Sequence, residues 1–285
     1  MLVFPALVMI DIDVLSKAYF WFDIPVPYQL ADNKEILIYP ISVKDSEMFL
    51  TWVDIISVDK NSLPDPKYIS MPYLNFLINT FILAEDKTVA ESTQKKLSLI
   101  FRYCLKLEND ISIILNEKKK LQLICGDYTI GAKQFDDIRR IILYQNILGY
   151  DDSYIDPDVQ QVIQEMEELK SKDIDFPTME RKMAIITAHT GITKEAQMAM
   201  TFRSHTSLFK EVCGEVDFST IRTAALIGNM FSEKKNELED WIYKKKRGKY
   251  DGYFVNRDDY TKSMGENSMV RSVDKVQIDI DSLNI

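Results

Sequence analysis

Two β-rich runs constrain this chain more than any other feature of its sequence. They are Ile111-Ser112-Ile113-Ile114-Leu115 and Leu121-Gln122-Leu123-Ile124-Cys125, set apart by the polar stretch Asn116-Glu117-Lys118-Lys119-Lys120. Short runs of β-branched and apolar residues joined by a few polar ones fold back as a hairpin. The next segment has a different period. Residues 133–146 carry Phe135, Ile138, Ile141 and Ile142 every three to four positions, the spacing of a helical stripe. The expected fold class is α+β, mainly helical with a small antiparallel sheet in the N-terminal half.

Elsewhere the pattern divides the chain. Residues 8–14 alternate at their polar end and predict a strand. Pro25 and Pro27 then break the run, and 35–43 reads as extended, with Pro40 at an edge or bulge. Asp45 suits the N-cap of a helix over 46–57. Ser70 should cap an apolar helix over 71–84, and 88–107 reads as another. Gly126 and Gly131 punctuate the exit from the hairpin. Composition shifts near Tyr150, since residues 151–180 hold ten acidic side chains against two basic. Pro157 should open a solvated helix there. Helices are then expected over 178–190, 193–203, 205–213, 217–231 and 235–246. The expected organisation is an α/β N-terminal domain over 1–150, an acidic linker or helix over 151–177, a helical C-terminal domain over 178–250 and a flexible arm over 251–285.

Charge and cysteine usage narrow the function classes. Against 44 Asp and Glu stand 35 Lys and Arg, a net charge of −9, which disfavours general nucleic-acid binding. Nine glycines and nine prolines in 285 residues argue against glycine-rich phosphate loops. Cys104, Cys125 and Cys213 are too few and scattered for a disulfide framework or zinc site, and read as free thiols buried in a reducing compartment. Residues 1–22 are apolar but lack a basic leader, and Asp11 and Asp13 interrupt them, which argues against a signal peptide and a membrane span.

Candidate chemistry is sparse. Asp11 and Asp13 after an apolar run suggest the paired carboxylates of aspartate-based phosphatases, giving a hydrolase or nuclease alternative, but no glycine opens the loop that should come next. His189 and His205 are 16 residues apart, not at the i, i+4 spacing of a helical metal pair. The acid pairs Asp136-Asp137, Asp151-Asp152 and Asp258-Asp259 are adjacent in sequence, and adjacent side chains on a helix do not face each other. No catalytic, cofactor-binding or metal-binding residues are therefore assigned, and no cofactor is expected. Residues 244–249 form the dense basic cluster of the chain, either a charged helix end or a grip on an acidic protein face. Met198, Met200, Phe202, Leu208 and Phe209 make a Met-rich apolar face that is either helical core or a surface for a partner helix.

Several segments bear a family resemblance. Leu37-Ile38-Tyr39-Pro40-Ile41-Ser42-Val43-Lys44-Asp45 leading into a helix resembles tail-morphogenesis proteins of tailed bacteriophages, as does Gly126-Asp127-Tyr128-Thr129-Ile130-Gly131 followed by the helix that holds Phe135 to Asn146. The Thr190-Gly191-Ile192-Thr193 turn with 198–209 is similar to the downstream helices of tail-assembly chaperones. The resemblance spans about residues 35–245. It implies a non-enzymatic tail or virion morphogenesis factor that works by protein–protein contact in the host cytoplasm. Its partner would be a tape-measure-like helical protein or another tail component, with no specific nucleic acid and no membrane. A virion structural subunit of the tail or baseplate is the alternative within the same resemblance.

Overall fold

In a computed structural model, residues 10–227 are described apart from 61–62, 64, 83–86, 109–110, 118–119, 154 and 173. The fold is α+β and mainly helical, with two small antiparallel sheets in the N-terminal half. The first element is a helix, α1 (Ile12–Ala18), followed by a 3-10 turn, Phe20–Phe22. The strand expected over 8–14 is thus corrected within its described part. Asp11 accepts hydrogen bonds from the backbone N–H of Asp13 at 3.0 Å and of Val14 at 3.2 Å. Such a cap satisfies N–H groups that a strand would leave to a neighbour.

Strands β1 (Val26–Gln29) and β2 (Glu35–Ile38) pair antiparallel, from Val26 opposite Ile38 to Gln29 opposite Glu35. The extended reading of 35–43 holds for the first four residues. Pro40 has no N–H to continue a ladder, Tyr39 N–H donates to the Cys104 carbonyl at 2.7 Å, and Ile41 N–H donates to Asn146 Oδ1 at 2.7 Å. Helix α2 (Val43–Ser57) starts earlier than expected because Ser42, not Asp45, is its cap residue. Asp45 lies in the first turn and accepts from Ser42 Oγ at 2.7 Å, where a carboxylate suits the positive helix end.

The single helix expected over 71–84 is broken into α3 (Lys67–Ser70), α4 (Tyr73–Leu77) and a π-helical turn, Ile78–Ile82. Pro72 stands at the cap of α4, and Tyr73 N–H, free at the helix start, donates to Asp136 Oδ1 at 2.8 Å. Helix α5 (Lys87–Leu105) comes next, and Lys106 turns the chain with φ 56°.

The hairpin forms as read: β3 (Ile111–Leu115) pairs with β4 (Leu121–Cys125), with Ile111 opposite Cys125 and Leu115 opposite Leu121. A third strand, β5 (Tyr128–Gly131), adds to the hairpin beyond what the sequence pattern predicts, and it pairs with β4 across a tight turn in which Gly126 has φ 56°. A side chain rarely adopts that conformation, and glycine does so freely. Helix α6 (Ala132–Asn146) then enters the core, with Phe135, Ile138, Ile141, Ile142 and Leu143 buried. It touches α1, α4, β2, β4 and β5, and Phe135 stacks on Phe101 of α5 with ring centroids 6.0 Å apart.

Four helices complete the described chain: α7 (Pro157–Ser171), α8 (Met179–Thr190), α9 (Lys194–Ala199) and α10 (Phe202–Ile227). The helix expected over 193–203 stops at Ala199, because Met200 is extended and its carbonyl accepts from Val43 N–H at 2.9 Å. The helices expected over 205–213 and 217–231 are one continuous helix as far as Ile227. Gly214 lies inside it, where a glycine costs about 1 kcal/mol relative to alanine, too little to end a long helix. The expectations for 235–246, the arm 251–285 and Asp258-Asp259 lie outside the described residues. Cys104 and Cys125 are buried and Cys213 is half-buried, none of them in a disulfide; burial pushes the Cys104 thiol up, against ionisation. Among the described residues, no helix is long and apolar enough to cross a membrane.

Candidate functional site

The chain returns on itself where α9 meets α10. Ser42 and Thr201 form an isolated antiparallel bridge, and Phe202 N–H donates to the Ile41 carbonyl at 2.8 Å. Thr201 Oγ1 accepts from Ser204 N–H at 3.2 Å, at the start of α10, and itself donates to Asp23 Oδ1 at 2.5 Å. Ser204 Oγ reaches both oxygens of Asp23, at 2.9 and 2.8 Å. The Asp23 carboxylate therefore lies at the positive end of α10. Its backbone is left-handed, φ 57°, a conformation that Asp tolerates better than most residues. Arg203 adds a bond from Nη1 to the Tyr144 carbonyl at 2.7 Å.

This clamp has an exposed consequence. Trp21 is 63% exposed and Phe22 65% exposed on the turn that Asp23 ends. On the other side of the junction, Met198 is 41% exposed on α9. Large apolar groups held against water on a pinned turn are unlike scattered surface apolar residues, and they suit partner contact. Of the sequence-predicted face, Met198 is outward, while Met200, Phe202, Leu208 and Phe209 are half-buried. The ring of Phe209 also lies 5.8 Å from Lys182 Nζ of α8. Sequence pattern does not single out Trp21 and Phe22, since an apolar N-terminal run reads as buried. The charged Asp23 directly after three aromatics is the available signal for a turn.

Behind the junction, Gln197 and His205 are fully buried. Gln197 Nε2 faces the carbonyls of Met183 and Ile192, each at 3.1 Å, and Thr187 Oγ1 at 2.9 Å. Its Oε1 consequently takes the bond from His205 Nε2 at 3.1 Å, which fixes the ring as the Nε2–H tautomer. Burial, and then the nearby Lys182, hold the His205 imidazole below its usual range. The pair locks α8, α9 and α10 together, so His205 is a structural histidine. His189 lies in the last turn of α8, away from this pair, where a cation suits the final carbonyls.

Titratable groups also gather in a polar cavity of about 490 Å³ lined by Lys60, Tyr73, Asp136, Arg139, Arg140 and Tyr150, among others. Lys60 Nζ donates to the carbonyls of Ile69 at 3.2 Å and Met71 at 2.5 Å. The Arg139 guanidinium stacks 3.9 Å from the Tyr73 ring centroid and donates to Tyr150 Oη at 3.0 Å. Arg140 makes a two-pronged contact with Asp152, at 2.7 and 3.3 Å. Burial raises Asp136 above the usual carboxylate range and lowers Lys60. Lys60 thus occupies carbonyls at the end of α3, Arg139 Nε donates to the Ile56 carbonyl near the end of α2, and Arg140 holds Asp152 beyond α6, an arrangement that ties these helices together.

Of the carboxylates named from sequence, Asp136, Asp151 and Asp152 line this cavity, each held by a different partner, and among the described residues no group of three or more His, Cys, Asp or Glu side chains could hold a metal ion. Asp11 caps α1. Asp136 accepts from Tyr73 N–H, and its neighbour Asp137 accepts from Tyr28 Oη at 2.8 Å. Asp152 faces Arg140, while Asp151 accepts from Ser153 N–H at 2.8 Å. The basic residues 244–249 lie outside the described residues. Compared with models of known protein families, with curated proteins and with solved structures, the chain matches none.

Proposed function

We propose that this chain is a non-enzymatic morphogenesis factor of a tailed bacteriophage, similar to tail-assembly chaperones. It works in the host cytoplasm by holding an amphipathic helical segment of a tape-measure-like protein. The assignment to tail assembly rests on the resemblance of the segments around Ile38, Tyr128 and Gly191. The assignment to partner binding rests on one observation, the exposed Trp21 and Phe22 held on a turn that Thr201 and Ser204 pin through Asp23. Met198 lies across the same junction, and its unbranched thioether adapts to varied apolar partners. The net charge of −9 would help keep a loaded complex in solution. The hydrolase alternative draws no support from Asp11, whose carboxylate is committed to a helix cap.

Co-expression with the tape-measure protein of the same phage tests the reading. The wild-type chain is expected to raise the soluble yield of that protein and to be captured with it. Trp21→Glu combined with Met198→Glu should abolish capture with little change in melting temperature. Equal capture by the double variant would overturn the reading. Mass spectrometry of purified particles separates the chaperone from the virion subunit, since a chaperone is present in lysate and absent from finished particles.

A further inference from the structure

The outer face of α7 carries a second, separate observation. Val162 is 50% exposed and Leu169 is 73% exposed, and seven residues are about two helical turns, so both lie on one side. Glu165 stands between them and Glu168 beside them. Val159, Ile163 and Met166 continue the same stripe around the helix and are half-buried, and on the far side Gln160 Nε2 donates to Asp59. A helix of 15 residues is marginal in water when packing does not support it. An apolar stripe edged with acid on such a helix therefore calls for an occupant that is apolar and basic.

The chain itself supplies that chemistry. After Ile227 come 58 residues, and within them Leu238, Trp241 and Ile242 recur at a spacing of three and four, followed after Tyr243 by Lys244-Lys245-Lys246-Arg247. The ten residues between Ile227 and Leu238 can span up to about 35 Å when extended. We propose that residues 238–249 dock on the outer face of α7 within the same molecule, apolar residues on Val162 and Leu169 and basic residues on Glu165 and Glu168. The docked segment covers an acidic apolar face that would otherwise be open to other basic amphipathic segments. This contact does not depend on the partner surface at Trp21 and Met198.

Amide hydrogen exchange of the full chain, read by mass spectrometry over α7, tests the proposal. Reversing Lys244→Glu, Lys245→Glu and Lys246→Glu together should speed exchange in α7 by about tenfold, the size expected for several exposed charge pairs acting with an apolar contact. Adding Glu165→Lys and Glu168→Lys should restore most of the protection. Unchanged exchange in α6 shows that each variant is folded. Exchange in α7 that is indifferent to the charge reversal, or reversal that the swap does not rescue, overturns the proposal. Protection of α7 that rises with protein concentration also overturns it, since a second copy would then be the occupant.

Discussion

Helices α6 and α7 have the same length, 15 residues each, and lie next to each other in the chain, yet they are held by different means. Nine residues of α6 are buried, polar Gln145 and Asn146 among them. No described side chain of α7 is buried, and two of its larger apolar groups face water. Both helices are amphipathic in sequence, so periodicity alone does not distinguish them. The difference lies in what each stripe meets. The α6 helix meets both sheets and helices α1, α4, α5 and α10, whereas the α7 stripe keeps Val159, Ile163 and Met166 half-buried and leaves Val162 and Leu169 to water. A helix of the first kind is stabilised by tertiary packing, and one of the second kind becomes a surface on which something else can dock.

The largest expected effect comes from breaking the buried member. Phe135→Ala removes a ring stacked on Phe101 and should cost about 3–5 kcal/mol of global stability, measured by urea unfolding. Next comes Asn146→Ala. Asn146 accepts from Ile41 N–H at 2.7 Å and donates to the Ile142 carbonyl at 2.8 Å. Its loss strands a buried N–H, at a cost of about 1–3 kcal/mol. Both variants should unfold α6 and the sheets in one transition.

A pH series sharpens the same comparison without creating a cavity. Burial raises the Asp136 carboxyl in the folded state above its ordinary value of 3.8. The folded protein therefore binds that proton more tightly than the unfolded chain does. The stabilising contribution is complete below the ordinary value and is lost as pH rises through the raised folded value. Relative to Asp136→Asn, which keeps an oxygen for Tyr73 N–H, the wild type should lose stability as pH rises from about 4 toward neutrality. A constant difference across that range would contradict the burial of the charge. Smallest of all is Leu169→Ala on α7, which removes an exposed side chain and should change global stability by no more than about 0.5 kcal/mol. A larger loss would mean that α7 is packed as α6 is.

Much of the architecture is legible where a local signal agrees with its surroundings. The hairpin 111–125 forms in the register that its loop implies, and α6 keeps the spacing of Phe135, Ile138, Ile141 and Ile142. Sequence and structure part where a side chain reaches a backbone group that the sequence does not place nearby. Asp11 turns an alternating run into a helix start, and Pro72 with Asp136 divides an apolar helix. At the candidate site, Met198 is legible from its helical setting. Trp21 and Phe22 are not, because their exposure depends on Thr201 and Ser204, about 180 residues further along the chain. The role of His205 is hidden for a similar reason, since only its bond to Gln197 on another helix reveals it.

Native-state hydrogen exchange in increasing denaturant tests most directly whether this molecule is a locked body carrying open surfaces. The amides of α6 should exchange only through global unfolding, with an opening free energy equal to that of the whole protein. Those of α7 should open at a free energy several kcal/mol lower and with a smaller dependence on denaturant. A common opening free energy and a common denaturant dependence for both helices would contradict the division.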